Sequence, residues 1–340
     1  MLKRYGKQIF NTVFFLVVFA MTVWAVFYGA DPVQTLACLK QADPLWLIPG
    51  VLCVLAFIIS ESAILFYLMG TLGTKVRFSH CCLYSFIGFF YSAITPSASG
   101  GQPMQVVVMR KDGIPAAVST VVLAIVTILY KLVLVVTGAL VLLIRPEPVM
   151  TYLGPVEWIM HVGIWLNIVF IAALLMLVFC PSLVRKLANW LFRLIARIRP
   201  FRDPEKQTQR LERIISQYDG TAAFYKAKPW IIAKVFFITA MQRLFLFAVT
   251  WLMYKALGLA GESAVVIILL QAMISVAVDM LPLPGGMGIS EKLFLTIFLP
   301  VMGQTMVLPA MILTRGLSYY TQLILSAVIT AVSSRILRKK

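Results

Sequence analysis

Six ionisable side chains fall inside apolar stretches of this sequence, where an isolated charge is costly. Lys131, Arg243 and Arg315 are the cations; Glu61, Asp279 and Glu291 are the carboxylates. At the centre of a hydrocarbon layer each charge costs on the order of 2.5 to 3.5 kcal/mol even on insertion-based scales, so each calls for a partner or a ligand. One reading makes the three cations a binding site for a phosphate, with the three carboxylates balancing them when it is empty. Arginine suits phosphate through its planar donor fork and lysine as a point charge. The other reading pairs the six groups into ion pairs that lock the protein together. Ligand binding is the preferred reading for Arg243 and Arg315, because ionisable residues at membrane depth are functional by default; Glu61 is balanced between the two.

The spacing of these groups follows two breaks in the apolar pattern. Thr95-Pro96-Ser97-Ala98-Ser99-Gly100-Gly101-Gln102-Pro103 interrupts the first half, and Leu281-Pro282-Leu283-Pro284-Gly285-Gly286-Met287-Gly288 the second. Proline and paired glycines cannot continue a helix, and backbone released at membrane depth survives only where protein or a wet cavity satisfies it. Lys131 follows Gly101 by 30 residues and Arg315 follows Gly286 by 29. Glu61 precedes the first break much as Arg243, next to Gln242, precedes the second. Asp279, Glu291 and Lys292 flank the second break. Helix N-termini at such breaks attract anions through their free amides, and Ser97, Ser99 and Gln102 would add donors.

Other chemistry is not indicated. His80 and His161 stand alone, and no nucleophile–base pair or nucleotide-binding loop is visible. The five cysteines (Cys38, Cys53, Cys81, Cys82, Cys180) show neither CxxC nor histidine spacing, so no disulfide framework, metal or cofactor is expected.

The elements that must position the site are membrane helices. At 340 residues, 61% hydrophobic and 13% charged, with mean hydropathy +0.93, the chain exceeds what a soluble core needs. Apolar segments long enough to span are Ile9 to Ala30, Leu45 to Leu68, Pro115 to Ile144, Val156 to Cys180, Trp230 to Leu257 and Met306 to Ile336. Ile9 to Ala30 is too long for a signal peptide and lacks a cleavage site, so it reads as a retained span. Ser79 to Arg110 and Ser263 to Pro300 are each split by a break.

Most of the 30 Lys and Arg fall in five stretches: 3–7, 75–77, 110–111, 185–228 and 335–340. Cytoplasmic loops collect such residues, and all five share a side only if each split region is a re-entrant hairpin, the first entering from the cytoplasm and the second from outside. The expected architecture is all-α: about six full spans and two broken hairpins, both termini cytoplasmic. Residues 45–144 and 230–340 then form an inverted repeat, with 1–44 an N-terminal span and loop, 145–180 a connecting span and 181–229 a cytoplasmic basic segment. The alternative is eight or more spans. Leu183 to Arg197 alternates apolar and basic residues as an interfacial helix does, and the excess of cations points to anionic lipid rather than nucleic acid.

The two break motifs, the Pro282-x-Pro284-Gly285-Gly286-x-Gly288-x-x-Glu291 pattern, and Arg315 followed by Tyr319-Tyr320 together resemble the flippase-like membrane domain of bacterial lysylphosphatidylglycerol synthases, over nearly the whole chain. The resemblance implies a single membrane domain in the bacterial inner membrane that moves an anionic or aminoacylated phospholipid, or a polyprenyl-phosphate lipid, between leaflets, altering envelope charge and resistance to cationic peptides. In full-length members a soluble domain makes the lipid from lysyl-tRNA; here the sequence stops at Lys340 just after its last span, and its longest polar stretch is about fifty residues, small for a domain. Phosphatidylglycerol lysyltransferase activity, or a role as its membrane subunit, would therefore need a separate soluble synthase. Membrane lipids are the expected partners, no direct nucleic-acid contact is expected, and a homodimer stays open.

Overall fold

The computed structural model describes residues 32–95, 98–198, 204–281 and 288–337. Several expectations lie outside these residues: the span Ile9 to Ala30, the loop residues Pro96, Ser97, Pro282, Pro284, Gly285 and Gly286, and the last three residues. Among the described residues the protein is helical throughout and contains no strand. It is an all-α, multi-pass membrane protein.

Local signals set the helix boundaries. A short helix α1 (Pro32–Lys40) leads to α2 (Pro44–Thr71), which starts where Asp43 accepts the Leu45 amide at 2.9 Å and Pro44 takes the first turn. Such a cap satisfies one of the amides that open a helix. Two short helices follow, α3 (Phe78–Ala93) and α4 (Gly101–Lys111), then the long α5 (Ala116–Ile144). Arg145, left-handed at φ 48°, ends α5 before Pro146. The short α6 (Glu147–Leu153) and a 3₁₀ turn lead into α7 (Glu157–Phe179), and the polar segment folds as α8 (Pro181–Ile198) and α9 (Pro204–Ala227). The second half repeats the order of the first: long α10 (Pro229–Ala256), short α11 (Ala264–Val278), then α12 (Ile289–Arg315), a π turn (Gly316–Thr321) and α13 (Gln322–Leu337). Helical geometry breaks inside α12 at Gly303, φ 76° and ψ 165°. Its first section is therefore a short return helix, and the rest joins α13 as a span.

The short helices cannot cross. At 1.5 Å per residue α3, α4 and α11 reach roughly 24, 17 and 23 Å, against a hydrocarbon core of about 30 Å. Among the described residues five longer apolar segments are long enough: Pro44–Thr71, Ala116–Ile144, Glu147–Phe179, Pro229–Ala256 and Ile289–Ser333. Packing repeats between the halves. α3 packs on α2 and α4, while α11 packs on α10 and α12. Each hairpin also crosses over: α3 packs on α13, and α11 on α5. The paired long helices α2 and α10 form the most extensive contact between elements.

The loops sort to two ends. One apolar cluster joins Leu68, Met69, Cys81, Met109, Ile114 and Tyr225, so the basic 75–77 and 110–111 turns and α9 share an end. At the opposite end the Asp43 amide donates to the Ala256 carbonyl at 2.8 Å and the Tyr152 hydroxyl donates to Glu262. The basic segment contains more than the interfacial helix expected at Leu183 to Arg197. Ile215, Tyr218, Ala222 and Tyr225 form a buried stripe along α9, and Tyr225 donates to the Leu68 carbonyl at 2.8 Å. Burial pushes the Tyr225 phenol up to about 12. The α8 helix keeps an exposed apolar face, along Leu183, Leu187, Trp190 and Leu194.

Candidate functional site

The middle of the bundle holds one polar cluster around Tyr130. Its neighbour Lys131, 6% exposed at mid-α5, pairs with Asp279 at 2.5 Å. Asp279 caps the C-terminus of α11, so a cation of the first half holds the edge of the second break. The Tyr130 hydroxyl donates to the other Asp279 oxygen. Asn167 of α7 accepts from Lys131 at 3.4 Å and the Phe170 ring lies 4.8 Å from the ammonium.

Arg243, at the middle of α10, completes this cluster without an ion pair among the described residues. Its guanidinium stacks on the Tyr130 ring at 3.7 Å and lies 4.9 Å from the Phe57 ring. Its Nε is buried and makes no hydrogen bond among the described residues. Glu61 is half-buried on α2 across the same contact. It accepts from the Gln242 amide at 3.2 Å and feels the charge of Arg243. No described cation lies within ion-pairing distance of it.

A second cluster closes the far edge of the same break. Arg315 Nε donates to Glu291 Oε1 at 2.7 Å, and Glu291 Oε2 accepts from the Gly288 amide at 2.6 Å and the Ser290 hydroxyl at 2.8 Å. Glu291 is thus the anion at the N-terminus of α12, in the seat that its free amides and dipole favour. The Arg315 guanidinium also faces the Tyr319 ring at 5.0 Å, and Tyr319 donates to the Ala93 carbonyl at the end of α3, at 2.9 Å. Tyr319 lies in the π turn directly after Arg315. π turns inside helices recur at functional sites because they displace side chains from the regular register.

At the first break the described residues bond one another and α5. Thr95 accepts the Gly100 amide at 2.9 Å and donates to the Tyr91 carbonyl at 2.6 Å. Gln102 donates to Thr127 of α5. Helices α3 and α4 approach closely here, since a Cβ on Gly101 would stand 2.0 Å from the Ser92 hydroxyl and 2.6 Å from the Gly88 carbonyl. Ser99 flanks this turn, and Gly288 opens α12 at φ 85°.

Compared with known families, residues 12–326 match the model described as the lysylphosphatidylglycerol synthase TM region. The chain belongs to this family. The expected resemblance is thereby shown, and with it a membrane lipid-related role. No curated protein matched the chain.

Within this lysylphosphatidylglycerol synthase TM region, five of the six ionisable residues singled out in the sequence gather around the second break or the Tyr130 cluster beside it, and the sixth, Glu61, bonds Gln242, the neighbour of Arg243. Lys292 is exposed and outside the cluster. Sequence reasoning passed over Tyr130, which touches both Arg243 and Asp279. The signal was a hydroxyl-bearing aromatic beside a mid-span lysine. Asn167 was a second such signal, the one buried amide of α7.

Proposed function

We propose that this protein is a lipid translocase of the bacterial inner membrane, which moves an anionic or aminoacylated phospholipid, or a polyprenyl-phosphate lipid, between leaflets. Arg243 carries the proposal: a mid-membrane guanidinium stacked on aromatic rings, whose buried Nε has no hydrogen-bond partner among the described residues, is a phosphate seat held ready. Lys131 and Arg315 are charge-neutral in the empty state through Asp279 and Glu291, and a phosphate entering between them competes with those carboxylates. Because each cation belongs to a different half and both grip the second break, ligand exchange at either pair loosens that hairpin. This fits an inverted repeat, residues 45–144 against 230–340, whose basic end is cytoplasmic. The consequence is a change in envelope charge and in resistance to cationic peptides. Lipids are the partners, with a homodimer as the assembly to test.

The family description favours a second reading, in which this membrane region presents phosphatidylglycerol to a soluble lysyl-tRNA-dependent synthase. The two differ in what they change. Co-expressed with a separate synthase, a translocase raises the outer-leaflet share of lysyl-lipid without raising its total, whereas a synthase subunit raises the total. An increase in total product with an unchanged outer share would place the synthase reading first.

A further inference from the structure

Among the described residues Glu61 is the one mid-span carboxylate without an ion pair. Asp279 has Lys131 at 2.5 Å and Glu291 has Arg315 at 2.7 Å; Glu61 has amides instead. The Gln242 amide of α10 donates to its Oε2 at 3.2 Å, and the Gln105 side chain of α4 reaches it as well. Both glutamines are buried and anchored. Gln242 also donates to the Phe57 carbonyl at 3.2 Å, and Gln105 donates to the Tyr84 carbonyl at 3.2 Å. Gln105 lies so close to α3 that a Cβ on Gly88 would stand 2.4 Å from its amide nitrogen. A lysine or arginine partner would fix a carboxyl in its charged form. A glutamine does not, because its N–H donates to a carboxylate and its carbonyl oxygen accepts from a carboxylic acid. The cage around Glu61 therefore suits either form.

The charges around this cage depend on the phosphate seat. From α10 the charge of Arg243 acts on Glu61, and from α5 Tyr130, which bonds Asp279 and carries Arg243 on its ring, feels the Glu61 charge. Helix α3 and the π turn also pack on α2, and among the described residues they bring no charge that acts on Glu61. In the empty state Arg243 and the Glu61 carboxylate sum to zero. A phosphodiester on Arg243 meets that positive charge and leaves Glu61 facing a second anion in a poorly screened interior, where like charges favour uptake of a proton. With the proton bound, Arg243, phosphodiester and neutral acid again sum to zero. Neutrality in both states is what lets helices rearrange around the site at membrane depth without an uncompensated charge.

We propose that Glu61 is a proton-binding site linked to phosphate binding at Arg243, so that the lipid enters the site together with one proton and leaves with it. The proposal rests on the reading of Arg243 as a phosphate seat. The proton passes from water to a carboxylate oxygen of Glu61 and back to water, and no other bond changes. Because linkage is reciprocal, the proton strengthens phosphate binding by the same factor as phosphate strengthens proton binding.

The test is a titration of the detergent-purified full chain with dihexanoyl phosphatidylmethanol, whose single charge is a phosphodiester that does not titrate in the range used. Between about pH 8 and about pH 5, binding to the wild type should strengthen toward about tenfold per pH unit, with uptake of about one proton per lipid in weakly buffered solution. Glu61→Gln keeps the amide cage satisfied and should bind the lipid with the same affinity across this range and without proton uptake. Glu61→Asp keeps a carboxyl in a displaced position and should retain the linkage with a shifted pH window. His80 and His161 titrate in the same range and remain in both variants. A pH dependence that persists in Glu61→Gln, or a window unmoved in Glu61→Asp, would assign the proton to another group and overturn the proposal. The seat and the proton site fail separately. Binding that requires Arg243 but is flat with pH and takes up no proton overturns the proton site and leaves the phosphate seat standing; binding unaffected by Arg243→Ala, or none at any pH, removes the seat and the linkage with it.

Discussion

The six charges within the apolar segments do not do the same job, and their partners tell them apart. Lys131 and Asp279 form a close pair, both about nine-tenths buried. Removing one member of such a pair strands the other, at about 3 to 5 kcal/mol. Among the described residues Arg243 has no such partner, and its cation–π contacts are worth about 1 to 2 kcal/mol. Lys131→Ala should therefore lower the thermal midpoint of the purified protein severely, and Lys131→Met combined with Asp279→Leu should recover most of it. Arg243→Ala should lower it only slightly while abolishing lipid-phosphate binding, with Arg243→Lys restoring binding in part because the charge returns without the fork. Equal destabilisation by Lys131→Ala and Arg243→Ala would show that Arg243 is a structural residue after all. In sequence these residues were legible as charges but not as pairs. Nothing in the spacing said that Arg243 would face Tyr130 rather than Glu61, because that choice depends on how α5 and α10 are rotated against each other.

At the scale of elements, function depends on short helices held close. The approach of α3 to α4 rests on Gly88 and Gly101, and that of α7 to α11 on Gly163, where a Cβ would stand 2.5 Å from the Val276 carbonyl. Small residues are how membrane helices bring backbones together. Gly101→Ala and Gly163→Ala should each destabilise by about 1 to 3 kcal/mol, the usual range for overpacking, as read from thermal unfolding in detergent. Gly154→Ala, where a Cβ meets nothing within 4 Å, is the control. A melting temperature unchanged by Gly163→Ala would mean that α7 and α11 are not so close. The sequence announced these hairpins plainly, since proline and paired glycine have few other uses in an apolar run. It hid the packing of α9, because the stripe Ile215, Tyr218, Ala222 and Tyr225 is diluted by charges that mark the segment as polar.

At the scale of the whole molecule, the charge pattern and the packing agree on two ends. The turns at 75–77 and 110–111 lie with α9, and the loops near Asp43, Tyr152 and Glu262 lie opposite. In a variant with its five cysteines replaced, Lys111→Cys should react with an impermeant maleimide only from the cytoplasmic side and Gln304→Cys only from outside. Labelling of both from one side would break the inverted arrangement. That a broken hairpin from each half crosses to pack on the other half's long span was not legible in sequence, since hydropathy orders helices along the chain and says nothing of which meet.

The most direct measurement is lipid translocation in proteoliposomes that contain this protein alone, followed by the loss of fluorescence when an impermeant quencher reaches a labelled anionic phospholipid. Wild-type protein should make nearly all the labelled lipid accessible, against about half in protein-free vesicles, where only the outer leaflet is exposed. Arg243→Ala, folded and reconstituted to the same density, should return accessibility to the protein-free level. Equal quenching with wild-type protein and with empty vesicles, or full activity in Arg243→Ala, would contradict the account.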